Sequence, residues 1–377
     1  MRARDAQITR AGELFVTWGA ERPDNGVFLA RYDVSRELQW VLHLDTVGYA
    51  SVPRLVELSG GDLLLVCKRL PGIALFRMRA EDGVVLRSWT LTGDGSHGPS
   101  RVAVDEAGNV LIGGQTGANV GAPWLVALRP DLSVAWSFVH RSELSERSPE
   151  GVKVVLPRSE GGWLVVEHGS SFRTGSQPWV LAIDEDGGVE WERTFGWEGG
   201  SDFPQAAVQV ADGGHVIASL TYSAGKGSAD VWLVGLGPDG SLRWQSTHGG
   251  KGFESPGGIY QLEDGRLLVS ASQTSFSPDG ERRPWMLWLD EWGEAGPECS
   301  FSQASDAVHE VTTSVSSEVP LTEGELSVVA TRVAAFESTE LLTNDGRVVA
   351  RASSSCLRER SPALEQRLHF VSTQVAF

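Results

Sequence analysis

The sequence predicts an all-β fold, a single closed β-propeller of seven four-stranded blades spanning residues 1–377, and three observations carry that expectation. A phrase of two short strands about a tight turn recurs at intervals of roughly fifty residues. A second hairpin turn precedes most copies of it. Glycine (44 residues) and tryptophan (14) are abundant, and Gly or Asp-Gly pairs interrupt every stretch that could otherwise wind into a helix.

The phrase is clearest as Asp230-Val231-Trp232-Leu233-Val234-Gly235-Leu236, the turn Gly237-Pro238-Asp239-Gly240, and Ser241-Leu242-Arg243-Trp244. It returns around Pro178-Trp179 with Val189-Glu190-Trp191, and around Pro123-Trp124 with Val134-Ala135-Trp136. Asp-Gly suits such turns because Gly, Asn and Asp tolerate the positive φ they require. One tryptophan series falls at 124, 179, 232 and 285, the other at 40, 89, 136, 191 and 244. Upstream hairpins turn at Glu106-Ala107-Gly108-Asn109, Ser159-Glu160-Gly161-Gly162, Ala211-Asp212-Gly213-Gly214, Glu263-Asp264-Gly265-Arg266 and Thr322-Glu323-Gly324-Glu325. Four antiparallel strands per repeat make the unit of a propeller blade.

Closing strands fall near Trp40, Trp89, Trp136, Trp191, Trp244, Pro297 and Ala350, which gives seven repeats, with six or eight as the alternatives. The last two lack the tryptophan but keep turns at Trp292-Gly293 and Asp345-Gly346. The first repeat leaves little room for an innermost strand before Gly12. A surplus C-terminal strand within residues 366–377 is therefore expected to complete the N-terminal blade and remove the open sheet edges.

The pattern Trp-Leu-Val-x-Leu-x-x-Asp-Gly-x-Leu-x-Trp, followed by Gly-Gly and later Asp-Gly-Gly-x-Val-Ile-Ala, resembles bacterial propeller repeats related to the quinoprotein (PQQ) propellers. The resemblance covers most of residues 12–350 and implies a strand-end tryptophan docked between adjacent blades. It implies no single activity, since this architecture hosts many. The quinoprotein dehydrogenases are a poor match, because the adjacent cysteine pair of those enzymes is missing from this sequence.

A formal net charge of −17 and the lack of a Lys/Arg cluster argue against nucleic acid as a partner. No apolar run is long enough for a membrane helix. Beginning Met1-Arg2-Ala3-Arg4-Asp5, the chain reads as a cytoplasmic, monomeric propeller, or as an exported one if a leader once preceded it. Cys67 reads as a buried small hydrophobe. Cys299 and Cys356 lie in neighbouring repeats, and the sequence leaves open whether they pair.

Loops between second and third strands, and between blades, are long and fall on one face of the ring, where binding residues concentrate. That face offers Arg173, Trp197, Asp202, Tyr222, Lys226, Glu254, Arg282 and Arg283 as ligand-binding candidates. Asp202 and Glu254 fill an acidic slot in Gly-rich loops, where a carboxylate can instead cap loop N–H groups. His97 and His168 read as loop residues and are the candidates for acid–base chemistry. His140 and His248 share a repeat position with Phe195, which argues for packing. Asp184-Glu185-Asp186-Gly187 is a hairpin turn and not a calcium loop. No metal motif, phosphate loop or nucleophile motif occurs, and no cofactor is expected. The leading reading is a non-enzymatic module binding a peptide, protein or glycan on the long-loop face. The alternative is a lyase- or hydrolase-type enzyme at the mouth of the central channel.

Overall fold

The computed structural model describes residues 5–19, 26–46, 50–93, 96–117, 122–142, 151–171, 175–296, 299, 301–305, 307–311, 314–326 and 328–332. Within them every regular element is a strand. The first meander is β1 (Asp5–Ile8), β2 (Leu14–Gly19), β3 (Val27–Tyr32) and β4 (Leu38–Thr46). The second is β5 (Ala50–Glu57), β6 (Leu63–Arg69), β7 (Gly72–Met78) and β8 (Val85–Thr92). The third is β9 (Ser96–Val104), β10 (Val110–Gly117), β11 (Pro123–Leu128) and β12 (Val134–Ser142). The fourth is β13 (Val152–Pro157), β14 (Trp163–Ser171), β15 (Gly175–Ile183) and β16 (Val189–Gly196). The fifth is β17 (Gly200–Gln209), β18 (His215–Thr221), β19 (Asp230–Leu236) and β20 (Leu242–His248). The sixth has three strands, β21 (Glu254–Gln261), β22 (Leu267–Gln273) and β23 (Arg283–Leu289).

The innermost strands β1, β5, β9, β13, β17 and β21 touch one another in that order, so the meanders stand as successive blades of a propeller. Apolar clusters fill the spaces between neighbouring blades. Phe15, Leu29, Leu63, Leu65 and Phe76 join the first to the second. Leu164, Val166, Ile217, Trp232 and Val234 join the fourth to the fifth. Because both faces of each middle blade are covered, β11, β18 and β19 are buried at every residue. That continuous burial explains why those strands read as unbroken apolar runs and not as alternating ones.

The strand-end tryptophans act as latches between blades. Trp40 Nε1 donates to the Glu81 carbonyl (3.1 Å), Trp136 to Glu185 (2.7 Å) and Trp191 to Pro238 (3.0 Å). Each ring lies on the turn of the next blade, at Gly83, Gly187 and Gly240, and Trp244 lies in the same way on Gly293. The turn needs glycine twice over: Gly240 has φ +74°, and a Cβ there would sit 2.5 Å from the Trp191 ring. In the third blade Leu132 takes the positive φ (66°) instead, and Trp89 is covered by Arg87 at 4.2 Å.

Two expectations change here, and one is left untested. The first meander has its own innermost strand, since Asp5–Ile8 pairs with β2 and the Asp5 carboxylate accepts from the Leu55 N–H at 2.9 Å. The C-terminal strand expected within residues 366–377 lies outside the described residues. Near Pro297 the expected closing strand is missing among the described residues. After the Asp290–Gly293 turn the Leu-x-Trp pattern gives way to Gly296-Pro297, and proline has no N–H for a ladder.

The chain instead turns back around the ring. β24 (Ser302–Ala304), β25 (Val308–Val311), β26 (Ser314–Glu318), β27 (Thr322–Glu325) and β28 (Val328–Arg332) pair antiparallel with β20, β16, β12, β8 and β4 in turn. Adjacent strands twist by roughly 20–25°, so the outermost strand of a blade is turned far towards the ring's circumference. A segment running round the outside can therefore add a fifth strand to each blade. The described residues thus hold six meanders, five of them edged by this belt.

Candidate functional site

The two kinds of long loop meet on one face, as the meander geometry requires. Loop 249–253, between the fifth and sixth blades, lies against loop 222–229 of the fifth. The Ser228 N–H and hydroxyl donate to the Gly252 carbonyl, both at 2.8 Å, and the Glu254 N–H donates to the Ala229 carbonyl at 2.8 Å. On its other side the Thr274 N–H donates to the Phe253 carbonyl (3.0 Å) and Gly252 N–H to Ser275 Oγ (2.6 Å). Gly227 must be glycine because a Cβ would collide with the carbonyls of Gly250 and Gly252.

Buried carboxylates hold these loops. Glu254 is fully buried and accepts from the N–H groups of Gly250 (2.8 Å), Ser275 (3.1 Å) and Thr274 (3.4 Å). Asp202, equally buried, accepts from the Thr221 hydroxyl at 2.6 Å. Burial raises its pKa above the usual carboxylate value. Glu254 therefore braces the loop backbone, Asp202 ties the start of β17 to Thr221 of β18, and neither carboxylate reaches the surface, which corrects their reading as exposed contact candidates. The sequence reading missed a third brace. Asp230 accepts from the N–H groups of Lys226 and Gly227, both at 3.0 Å, and its carboxyl is pushed up by burial despite those bonds. The signal was available in Gly225-Lys226-Gly227 followed closely by an aspartate.

What remains at the surface is a cluster of aromatic and cationic side chains. Tyr222 is 51% exposed and lies 6.3 Å from Phe253, ring to ring. The Arg282 guanidinium sits over Phe253 at 4.5 Å, and Phe203 meets Tyr222 edge-on at 6.0 Å. Lys226 and Lys251 are exposed on the same loops, as is Arg282.

The other candidates disperse. Trp197 is half-buried against Trp232 (4.9 Å) within the core between the fourth and fifth blades. Arg283 is matched by Asp279 at 2.5 Å. Arg173 lies outside the described residues.

His97 and His168 are not loop residues: they lie in β9 and β14, buried, against Trp124 (4.6 Å) and Phe203 (4.5 Å). The strands run further towards the loops than the sequence suggested, because pairing of β9 with β10 continues to Ser96↔Gly117. Neither ring is exposed to a substrate at the channel mouth. His140 and His248 are fully buried and pushed down to about 4 by desolvation, as packing side chains that stay neutral.

One further buried group went unnoticed in the sequence. Glu167 of β14 faces the third blade, and neither of its carboxylate oxygens has a hydrogen-bond partner among the described residues. Burial first, and the nearby Glu192 second, raise its pKa well above the usual carboxylate value. It is enclosed between blades, away from the loop face. Among the described residues no group of three or more His, Cys, Asp or Glu is placed to hold a metal ion.

No family model matches the sequence, and no curated protein matches it. Among solved structures the chain is similar to the Dos1 propeller, at 13% identity and a TM-score of 0.48 over 75% of this chain and 66% of that one. It is similar to puromycin hydrolase at 17% identity and a TM-score of 0.47, over 77% of this chain and 48% of the other. It is also similar to a PL25 ulvan lyase, at 8% identity and a TM-score of 0.48, over 86% and 90% of the two chains. The chain thus spans under two thirds of the length of the first two. The propeller arrangement itself is read from the order of its own strands.

Proposed function

We propose that the protein is a seven-bladed recognition module, without catalysis of its own, that binds an anionic peptide, protein or glycan on its long-loop face. One observation carries this reading. In a chain of net charge −17, three exposed cations, Lys226, Lys251 and Arg282, stand on the neighbouring loops that carry Tyr222 and Phe253 or pack on them, with the Arg282 guanidinium directly over the Phe253 ring. Aromatic and arginine side chains dominate binding hot spots, and a local cationic patch on an acidic protein selects for negative charge in its partner. The loops that carry the patch are held by buried carboxylates, so little ordering entropy is lost on binding.

The test uses polyglutamate and polygalacturonate as probes, measured by calorimetry against a variant carrying Lys226→Ala, Lys251→Ala and Arg282→Ala. Binding of at least one probe by the parent, weakened tenfold or more in the variant at an unchanged melting point, supports the reading. A parent that binds neither probe, or a variant that binds as well as the parent, overturns it.

A further inference from the structure

Register sets one position of every innermost strand opposite an equivalent residue of the second strand. In the fourth, fifth and sixth blades that position is Val154, Ala206 and Gly258, opposite Val166, Ala218 and Ser270. In the first three blades it is charged: Asp5 opposite Thr17, Arg54 opposite Val66 and Arg101 opposite Gly113. A blade therefore forms with an apolar or small residue here, and the charges answer some other need. Their strands β1, β5 and β9 touch in that order at the hub of the ring.

Two guanidinium groups meet there at one neutral oxygen. Ser100 is squeezed out of the β9 ladder by the bulge between Gly114↔Pro99 and Gly113↔Arg101, which frees its carbonyl. Arg54 Nε donates to that carbonyl at 2.5 Å and Arg101 Nη1 at 2.7 Å. Arg54 Nη1 also donates to the Pro53 carbonyl at 3.2 Å. The Asp5 carboxylate acts on both arginines, while its oxygens accept from the N–H groups of Ala6 (3.1 Å) and Leu55 (2.9 Å).

Charge does not balance within this group. The charges acting on Arg101 are the Arg54 cation and the Asp5 carboxylate, so two positive groups face one negative group. Burial first, and Arg54 second, push Arg101 down to about 10. Like charges drawn together and partly desolvated are costly unless an opposite charge joins them. All three residues are half-buried and not sealed off. Among the described residues the Arg101 side chain makes one hydrogen bond, from Nη1, which leaves Nε and Nη2 for another acceptor. A guanidinium fork of this kind matches the oxygens of a carboxylate or a phosphate.

We propose that the hub holds an oxyanion site, in which Arg54 and Arg101 bind a phosphate or carboxylate group beside the innermost strands of the first three blades. Asp5 tunes the site: its carboxylate offsets part of the positive charge and repels an incoming anion. The site stands apart from the loop-face patch, whose residues belong to the fifth and sixth blades, and is independent of the ligand assigned there.

The test is titration calorimetry of the full-length chain with inorganic phosphate and, separately, acetate, at an ionic strength fixed with sodium chloride. One site per chain is expected for at least one probe, and Arg101→Gln should weaken it about tenfold or more at an unchanged melting point. Asp5→Asn should tighten the same probe several-fold by removing the opposing charge. The loop-face variant Lys226→Ala, Lys251→Ala, Arg282→Ala should bind the probe as the parent does. A parent that takes up neither probe, or an Arg101→Gln protein that binds as well as the parent, overturns the proposal and leaves both arginines as donors to Ser100. Binding lost in the loop-face variant moves the anion to that face and overturns the hub site as well. Should Arg101→Gln fail to fold, Asp5→Asn in the loop-face variant decides: tighter binding supports the site, and unchanged or weaker binding overturns it.

Discussion

The fifth and sixth meanders carry equivalent apolar phrases, Val231-Trp232-Leu233-Val234-Gly235-Leu236 in one and Pro284-Trp285-Met286-Leu287-Trp288-Leu289 in the other. In the fifth, every residue of β19 is buried, the outer strand β20 is edged by β24, and Trp232 is completely enclosed. In the sixth, β23 alternates between buried and exposed, and Trp285 is only half-buried against Phe276 and Phe301. The local chemistry is alike, so the difference comes from neighbours. A strand in a blade flanked on both sides is a core strand, and an equivalent apolar strand flanked on one side is a surface strand. Burial in a propeller is set by what stands next in the ring.

The comparison can be broken most sharply at the two equivalent tryptophans. Trp232→Ala should cost about 3–5 kcal/mol in urea unfolding, and Trp285→Ala about 1–3 kcal/mol, because the half-buried site leaves less of a cavity. Equal losses would mean that the two blades are equally enclosed.

Acid should expose a second difference, since the fifth blade holds a buried histidine where the sixth has none. His248 is pushed down to about 4 by desolvation, against about 6.5 when unfolded, so the folded state binds fewer protons in this range. Its contribution is complete above pH 6.5 and is lost as pH falls through 4, at most about 3 kcal/mol for a shift of this size. His140 behaves in the same way. Replacing both by phenylalanine, which already occupies the slot as Phe195, should flatten the fall in melting temperature between pH 6.5 and 4.5. A variant that loses stability as steeply as the parent would move the acid sensitivity elsewhere.

The belt can be probed where it edges the fifth blade. Ser305 N–H donates to the Gln245 carbonyl and Gly249 N–H to that of Phe301, so alternation along the antiparallel pair directs the Gln303 N–H to Thr247. Gln303→Pro should cost about 1–2 kcal/mol by removing that bond, and should raise aggregation on mild heating by freeing the edge of β20. Unchanged light scattering would show that this edge needs no cover.

The smallest effect is expected at turn glycines. Gly240 and Gly265 both hold positive φ (+74° and +86°), but only at Gly240 would a Cβ meet a ring, that of Trp191. Gly265→Ala should therefore cost about 1 kcal/mol from backbone strain alone. Gly240→Ala should cost measurably more by displacing the latch. Equal costs would show that Trp191 gives way freely.

Much of the site was legible and some was not, for separable reasons. Tyr222, Lys226 and Arg282 could be named because loop length and residue type are written in the sequence. Asp202 and Glu254 looked alike to a contact residue and a brace, since the choice depends on whether the carboxylate turns towards solvent or towards the N–H groups of its own loop. His97 and His168 were placed in loops because Gly-rich neighbours read as turns, whereas continued pairing with a partner strand kept them in the sheet. Glu167 gave no signal, because its burial is created by the blade packed against it.

By itself the sequence determined the strands, the tight turns, the four-stranded unit and the latch tryptophans. Each of these follows from period, from the φ that glycine permits, or from side-chain size, all properties of a few adjacent residues. Only the tertiary structure decided that the chain after the sixth meander reverses and edges five blades, and which carboxylates are spent on holding loops. Strand pairing between Ser302–Arg332 and the outer edges joins residues far apart in the chain, from His248↔Ser302 to Val328↔Thr46, and depends on sheet twist turning those edges along the ring. No local pattern encodes such a partner, because an edge accepts any extended backbone that the ring brings alongside it.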